Sequence, residues 1–125
     1  KFIHALSLYG ASKLALDRYT QGLAAELHDT GITVNAAKPY AGAWTGGADQ
    51  LARQMLRTNA AMVETLEFLA EAALLLVTRG TTGLVLNSRE ILQLHQAPLH
   101  ALDGQAVIGD AMTLVSEGGL LRPPS

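Results

Sequence analysis

The fold is decided by YGASKLALDRYTQGLAAELHDTGITVNAAKP, Tyr9 to Pro39. Leu16, Tyr19, Leu23 and Leu27 recur at spacings of three and four, so the segment predicts a helix over 9–29 with one apolar stripe. Ser7 stands where an N-cap is expected, and Gly31 where a left-handed residue ends a helix. Ala11, Ala15, Ala24 and Ala25 make much of the remaining surface small, which lets another helix approach closely. Ile32 to Lys38 then reads as a short strand, rich in β-branched residues and stopped by Pro39. Helix, glycine, strand and proline in that order are the rhythm of a βαβ unit, and so of an α/β parallel sheet.

Further along, YAGAWTGGADQ (Tyr40–Gln50) reads as a loop, Asp49 to Thr58 as a short helix and Val63 to Arg79 as a strong one. The second strong helix is expected to bury Leu66, Leu69, Ala73, Leu76 and Val77. Thr81 to Gly83 makes a turn, and Leu84 to Asn87 a buried strand. Two strands between helices leave edges and apolar faces uncovered. The expectation is therefore the C-terminal part of a doubly wound, Rossmann-type parallel sheet, with residues 1–125 forming a portion of one domain. Residues 95–125 read as an irregular tail with a turn at Asp103-Gly104 and an edge strand in AMTLVS. The chain begins KFIHALSLY, without Met and almost directly at the helix, which reads as a fragment.

Composition narrows the classes. The chain has 125 residues, 49% hydrophobic and 16% charged, which is a globular balance. Its formal net charge is -2 and it has no run of Lys or Arg, which argues against a nucleic-acid or anionic-membrane surface. It has no cysteine, so disulfides, thiolate catalysis and zinc-thiolate sites are excluded. A cytoplasmic protein is expected, with neither a leader nor a membrane span among these residues.

Tyr9 and Lys13 are four apart, which places them on one helix face with Cβ atoms roughly 5–6 Å apart. A free phenol titrates near about 10, and a neighbouring ammonium favours its ionised form. Such a pair can exchange a proton with a hydroxyl or carbonyl oxygen, while the ammonium donates to a second group. The chemistry suits alcohol oxidation or ketone reduction, given a hydride carrier. A lone Tyr-x-x-x-Lys is common by chance, and its surroundings have to carry the assignment.

Those surroundings resemble the short-chain dehydrogenase/reductase family. The likeness runs through Tyr9, Ser12 and Lys13 in YGASK, the alanine-rich helix, AAELHDTGITVN and the strand-ending Pro39. Downstream, AEAALLLVTRGTTGLVLN is similar to the family's last helix and strand. The resemblance implies an NAD(P)-dependent oxidoreductase interconverting an alcohol and a carbonyl in a small-molecule substrate. It implies Tyr9 as catalytic general acid/base, assisted by Lys13, which also binds the nicotinamide ribose. Pro39, Tyr40, Gly42 and Thr45 then stand in the loop that holds the nicotinamide carboxamide, and Gly46 to about Thr58 in the substrate lid. Tyr40 replaces the usual glycine, and Thr45 sits one residue later than the common spacing. The family's oligomer interface corresponds to the 9–29 helix, so a homo-oligomer is expected. The glycine-rich phosphate loop and the partner serine are absent from these residues, so the isolated chain is expected to be inactive. Substrate and the choice of NAD or NADP are unreadable. The competing reading is a non-catalytic truncated product serving as an oligomerisation or structural half.

Other candidates read as structural. His4, His28, His95 and His100 have no ligand spacing, so no metal is expected. No nucleophile elbow surrounds Ser7 or Ser12. Trp44 suits either a cofactor cover or a loop anchor. Asp17 and Arg18 read as helix-surface charges, and Asp103 as a turn residue.

Overall fold

In the computed structural model, the structure describes residues 7–40, 42–43 and 63–110. The elements are α1 (Ser7–Glu26), β1 (Ala36–Lys38), β2 (Gly42–Ala43), β3 (Val63–Glu64), α2 (Leu66–Thr78), β4 (Val85–Asn87), α3 (Ser88–Leu94), β5 (Pro98–His100) and β6 (Val107–Asp110). β1 pairs with β4, β2 with β3 in parallel, and β5 with β6 antiparallel. The chain divides into two compact units, Lys1–Ala36 with Gly80–Val85, and Ala37–Arg79 with Leu86–Ser125.

In the first unit, Ala, Leu, Lys, Gln and Glu make α1 a good helix. Ser7 is inside it rather than capping it, and the helix closes at Glu26, three residues before the expected Asp29. The chain then turns through Asp29 (φ 63°) and Gly31 (φ 80°), so Asp29 takes the first left-handed position. The expected stripe is not the buried one. Thr20 and Ala24 are buried, while Leu16 and Tyr19 are exposed. The reason is steric: a Cβ on Gly83 would stand 3.7 Å from the Ala24 Cβ, so the small face is the one that docks.

The expected strand over 32–38 shortens to Ala36–Lys38. At Val34 and Asn35, side chains take over the bonding. Thr82 Oγ1 accepts from Val34 N at 3.0 Å. Asn35 Nδ2 donates to Thr81 O at 2.7 Å, and its Oδ1 accepts from Leu84 N at 3.1 Å. Backbone bonds follow, Gly83 N to Val34 O and Ala36 N to Leu84 O, each 2.8 Å. Both segments therefore advance in the same direction, as a parallel pairing requires.

The second unit is organised by α2, which packs on α3 and β5. Its buried side is Phe68, Glu71, Ala72, Leu75 and Leu76, a rotation from the expected face. Val77 is 81% exposed and Leu66 38%. A helix this apolar all round does not fix its own phase. Phe68, Ile91, Leu92 and Leu99, all fully buried, fix it instead. α3 was not anticipated. Asn87 accepts from the backbone of Arg89 and Glu90, and Glu90 returns a bond to Asn87 N, completing a capping box.

The 95–125 segment is not irregular as far as Asp110. β5 and β6 pair Pro98 with Asp110, Leu99 with Gly109 and His100 with Val107. The turn at Asp103-Gly104 is present: Asp103 Oδ1 accepts from Gln105 N at 2.8 Å, and Gly104 has φ 72°. These bonds hold the Asp103 carboxyl below its ordinary pKa. AMTLVS, the 49–58 helix, the lid, Trp44, Thr45 and His4 lie outside the described residues.

Candidate functional site

Tyr9 and Lys13 rise from one face of α1, and Lys13 Nζ lies 5.2 Å from the centre of the Tyr9 ring. That distance is within cation–π range. Tyr9 is 59% exposed, so its phenol is open to a reacting molecule. Ser12 Oγ donates to Tyr9 O at 2.7 Å, which gives that hydroxyl to the helix backbone and supports a structural role over a nucleophilic one. A phenol beside an ammonium on an exposed face fits hydroxyl-bearing ligands such as a ribose and a substrate oxygen.

Pro39, Tyr40 and Gly42 belong to the second unit and Tyr9 and Lys13 to the first. Gly42 sits in β2, in register with Val63, and Ala43 with Glu64. Tyr40 is exposed at its ring but held at its backbone. Its N–H points to Glu64 Oε1 at 3.1 Å and to Ser88 Oγ at 3.3 Å. Ser88 Oγ in turn donates to the Glu64 carboxylate, 2.8 and 3.0 Å from its two oxygens. Arg89 Nε lies 3.7 Å from Glu64 Oε2, and the guanidinium stands 4.3 Å from the Tyr40 ring centre and 5.0 Å from that of Phe68.

This cluster is dry. Glu64 is 2% exposed, Ser88 0% and Arg89 4%. Burial pushes the Glu64 carboxyl above its ordinary value, against the opposing pull of Ser88, the Tyr40 N–H and Arg89. Burial likewise lowers the Arg89 guanidinium, with Glu64 opposing. Among the described residues Arg89 Nε and Nη2 have no hydrogen-bond partner, and the ring faces and Glu64 help offset the cost of burying the cation.

The sequence reading did not single out these three residues. An acid just before a helix reads as a charge favouring the helix N-terminus, and only its neighbours from distant segments reveal it as interior. The one local signal available was N-S-R-E (Asn87–Glu90), the capping-box spacing that starts α3 and so places Ser88 and Arg89.

A separate cavity of about 220 Å³ lies between α2 and the β5–β6 hairpin, lined in part by Glu67, Glu71, Leu74, His100 and Leu102. There His100 Nδ1 and Glu71 Oε2 are 2.8 Å apart. None of the catalytic or cofactor-binding residues expected from the sequence is among those lining it, while His100, weighed there as a metal ligand, is.

Residues 2–56 match the family described as short chain dehydrogenase. That matched segment carries Tyr9, Lys13, Pro39, Tyr40, Gly42 and Thr45. The family is one of NAD(P)-dependent oxidoreductases with a Rossmann-like α/β fold, and the helices and short parallel pairings described above accord with it. No curated protein and no solved structure matches the chain. Among the described residues, no helix is long and apolar enough to cross a membrane, and no group of three or more His, Asp or Glu is placed to hold a metal ion.

Proposed function

We propose that this chain supplies the proton-transfer element of an NAD(P)-dependent oxidoreductase that interconverts an alcohol and a carbonyl. It would form the C-terminal part of a doubly wound Rossmann sheet in a cytoplasmic enzyme. The observation that carries the reading is the Tyr9–Lys13 pair, its ammonium 5.2 Å from the ring centre, on an exposed helix face inside the family-matched segment. Bound NAD or NADP supplies the hydride, which no side chain can carry. Tyr9 gives its proton to the carbonyl oxygen in reduction and takes it back in oxidation. Lys13 sets its ammonium beside the Tyr9 ring and donates to the nicotinamide ribose. Pro39, Tyr40, Gly42 and Thr45 shape the loop beside the carboxamide.

Tyr9→Phe in the intact protein tests this. The variant keeps the ring and loses the proton, so turnover is expected to fall by roughly 10²-fold or more while the fold survives. Full activity would refute the role. The isolated 125 residues are expected to bind no NADH or NADPH by fluorescence titration.

A second reading has its own support. α1 exposes Leu8, Leu14, Leu16 and Tyr19 at 85, 69, 52 and 65%. An apolar helix surface of this kind suits burial against another copy, so the chain would act as an oligomerisation half. Sedimentation of the isolated chain tests the interface, with a stable oligomer expected to be lost on Leu16→Glu; oxidoreductase turnover by the intact protein, which only the first reading expects, separates the two.

A further inference from the structure

We infer that Glu64 and Ser88 are positioning residues for the nicotinamide end of the cofactor, acting through the backbone of Tyr40 and of the Gly42–Ala43 strand. The inference rests on the oxidoreductase reading and adds to it two residues beyond the family-matched segment.

Glu64 grips that backbone twice. Its backbone lies in register with Ala43 in the β2–β3 ladder, and its carboxylate accepts the Tyr40 N–H three residues earlier. A backbone donor and a ladder partner on the same short segment fix its course as well as its distance. Ser88 is the hinge of the arrangement. Its hydroxyl donates to the Glu64 carboxylate and its oxygen stands 3.3 Å from the same Tyr40 N–H, so it orients the acceptor it shares.

The grip is also insulated. Glu64 and Ser88 are at most 2% exposed, so water does not compete for either bond. Arg89, 96% buried and 4.3 Å from the Tyr40 ring centre, fixes the side chain while the other two fix the backbone. Tyr40 stands where the family usually has glycine, so its ring brings a side chain that these contacts hold. The exposed Tyr40 ring stays available to a ligand on its outer side.

The intact protein tests this with Ser88→Ala and Glu64→Gln. Ser88→Ala removes the orienting hydroxyl with little change of volume, and Glu64→Gln keeps an oxygen for the Tyr40 N–H. Two readouts are needed: hydrogen exchange of the Tyr40 amide by NMR, and NADH or NADPH affinity by fluorescence titration, both far below the melting temperature. Ser88→Ala is expected to speed Tyr40 exchange at least tenfold and weaken cofactor binding about tenfold. Glu64→Gln is expected to stay within threefold on both. A faster Tyr40 amide with unchanged affinity would show a merely structural clasp and overturn the inference. Unchanged exchange would overturn it as well. Failure of the unsubstituted protein to bind either nucleotide would sink the oxidoreductase reading itself, and this inference with it.

Discussion

Glu64→Ala is the sharpest test of how the second unit is held. The carboxylate is the sole ion-pair partner given to Arg89 among the described residues, at 3.7 Å, and both groups are buried. Truncation leaves a buried guanidinium whose Nε and Nη2 lack hydrogen-bond partners among the described residues, against the rings of Tyr40 and Phe68. Removing one partner of a buried pair costs about 3–5 kcal/mol. Ser88 also loses its acceptor, and an unsatisfied buried donor costs roughly 1–3 kcal/mol. These costs do not add fully, because Glu64 itself is strained by desolvation, as its raised pKa shows. A net loss of about 3–5 kcal/mol is expected, a large part of a typical 5–15 kcal/mol stability. Urea unfolding of the 125-residue chain, followed by far-UV circular dichroism, measures it. The partner experiment is Glu64→Leu with Arg89→Met, which replaces both charges by apolar groups and is expected to cost under about 1 kcal/mol. A single-variant loss below about 1 kcal/mol, or a double variant as costly as the sum of its singles, would refute the reasoning.

Two further outcomes follow from the structure. Because burial raises the folded Glu64 pKa, its stabilising contribution is complete below the unfolded value near 4.5 and declines as pH rises through the folded one. Glu64→Gln should flatten the fall in urea midpoint above that pH, and an unchanged slope would count against the assignment. Gly83→Ala should destabilise by about 1–2 kcal/mol through its φ of 77° rather than by collision, since the new Cβ meets Ala24 at an ordinary 3.7 Å. Gly10→Ala in α1, with nothing within 4 Å, should instead stabilise slightly, which thermal melts of both variants would check.

The element types were legible where local chemistry is strong. The helix after Tyr9, the strand at Val85–Asn87 and the Asp103-Gly104 turn all follow from propensity and punctuation. The buried faces were not. In α1 the docking surface is Thr20 and Ala24, because small residues admit Gly83, while the more hydrophobic Leu16 and Tyr19 stay outside. In α2 apolar residues surround the helix, so phase comes from Ile91, Leu92 and Leu99, which periodicity cannot see. The adjacency of Tyr9 and Lys13 was legible, because they are one helical turn apart. Glu64 was not, since its partners Tyr40 and Ser88 are each 24 positions away in sequence.

The bonds that close the first unit set a timetable for its birth on the ribosome. Val34 and Asn35 find Thr82, Thr81 and Leu84 across separations of 48, 46 and 49 residues. At about 5–20 residues per second, Val34 and Asn35 wait roughly 2–10 s after their own synthesis before those partners exist. During that interval the small face of α1 at Thr20 and Ala24 stays uncovered, with no closing segment to hold the following strand. A chain cut short before residue 80 would never end the wait, and would remain a substrate for chaperones and proteases.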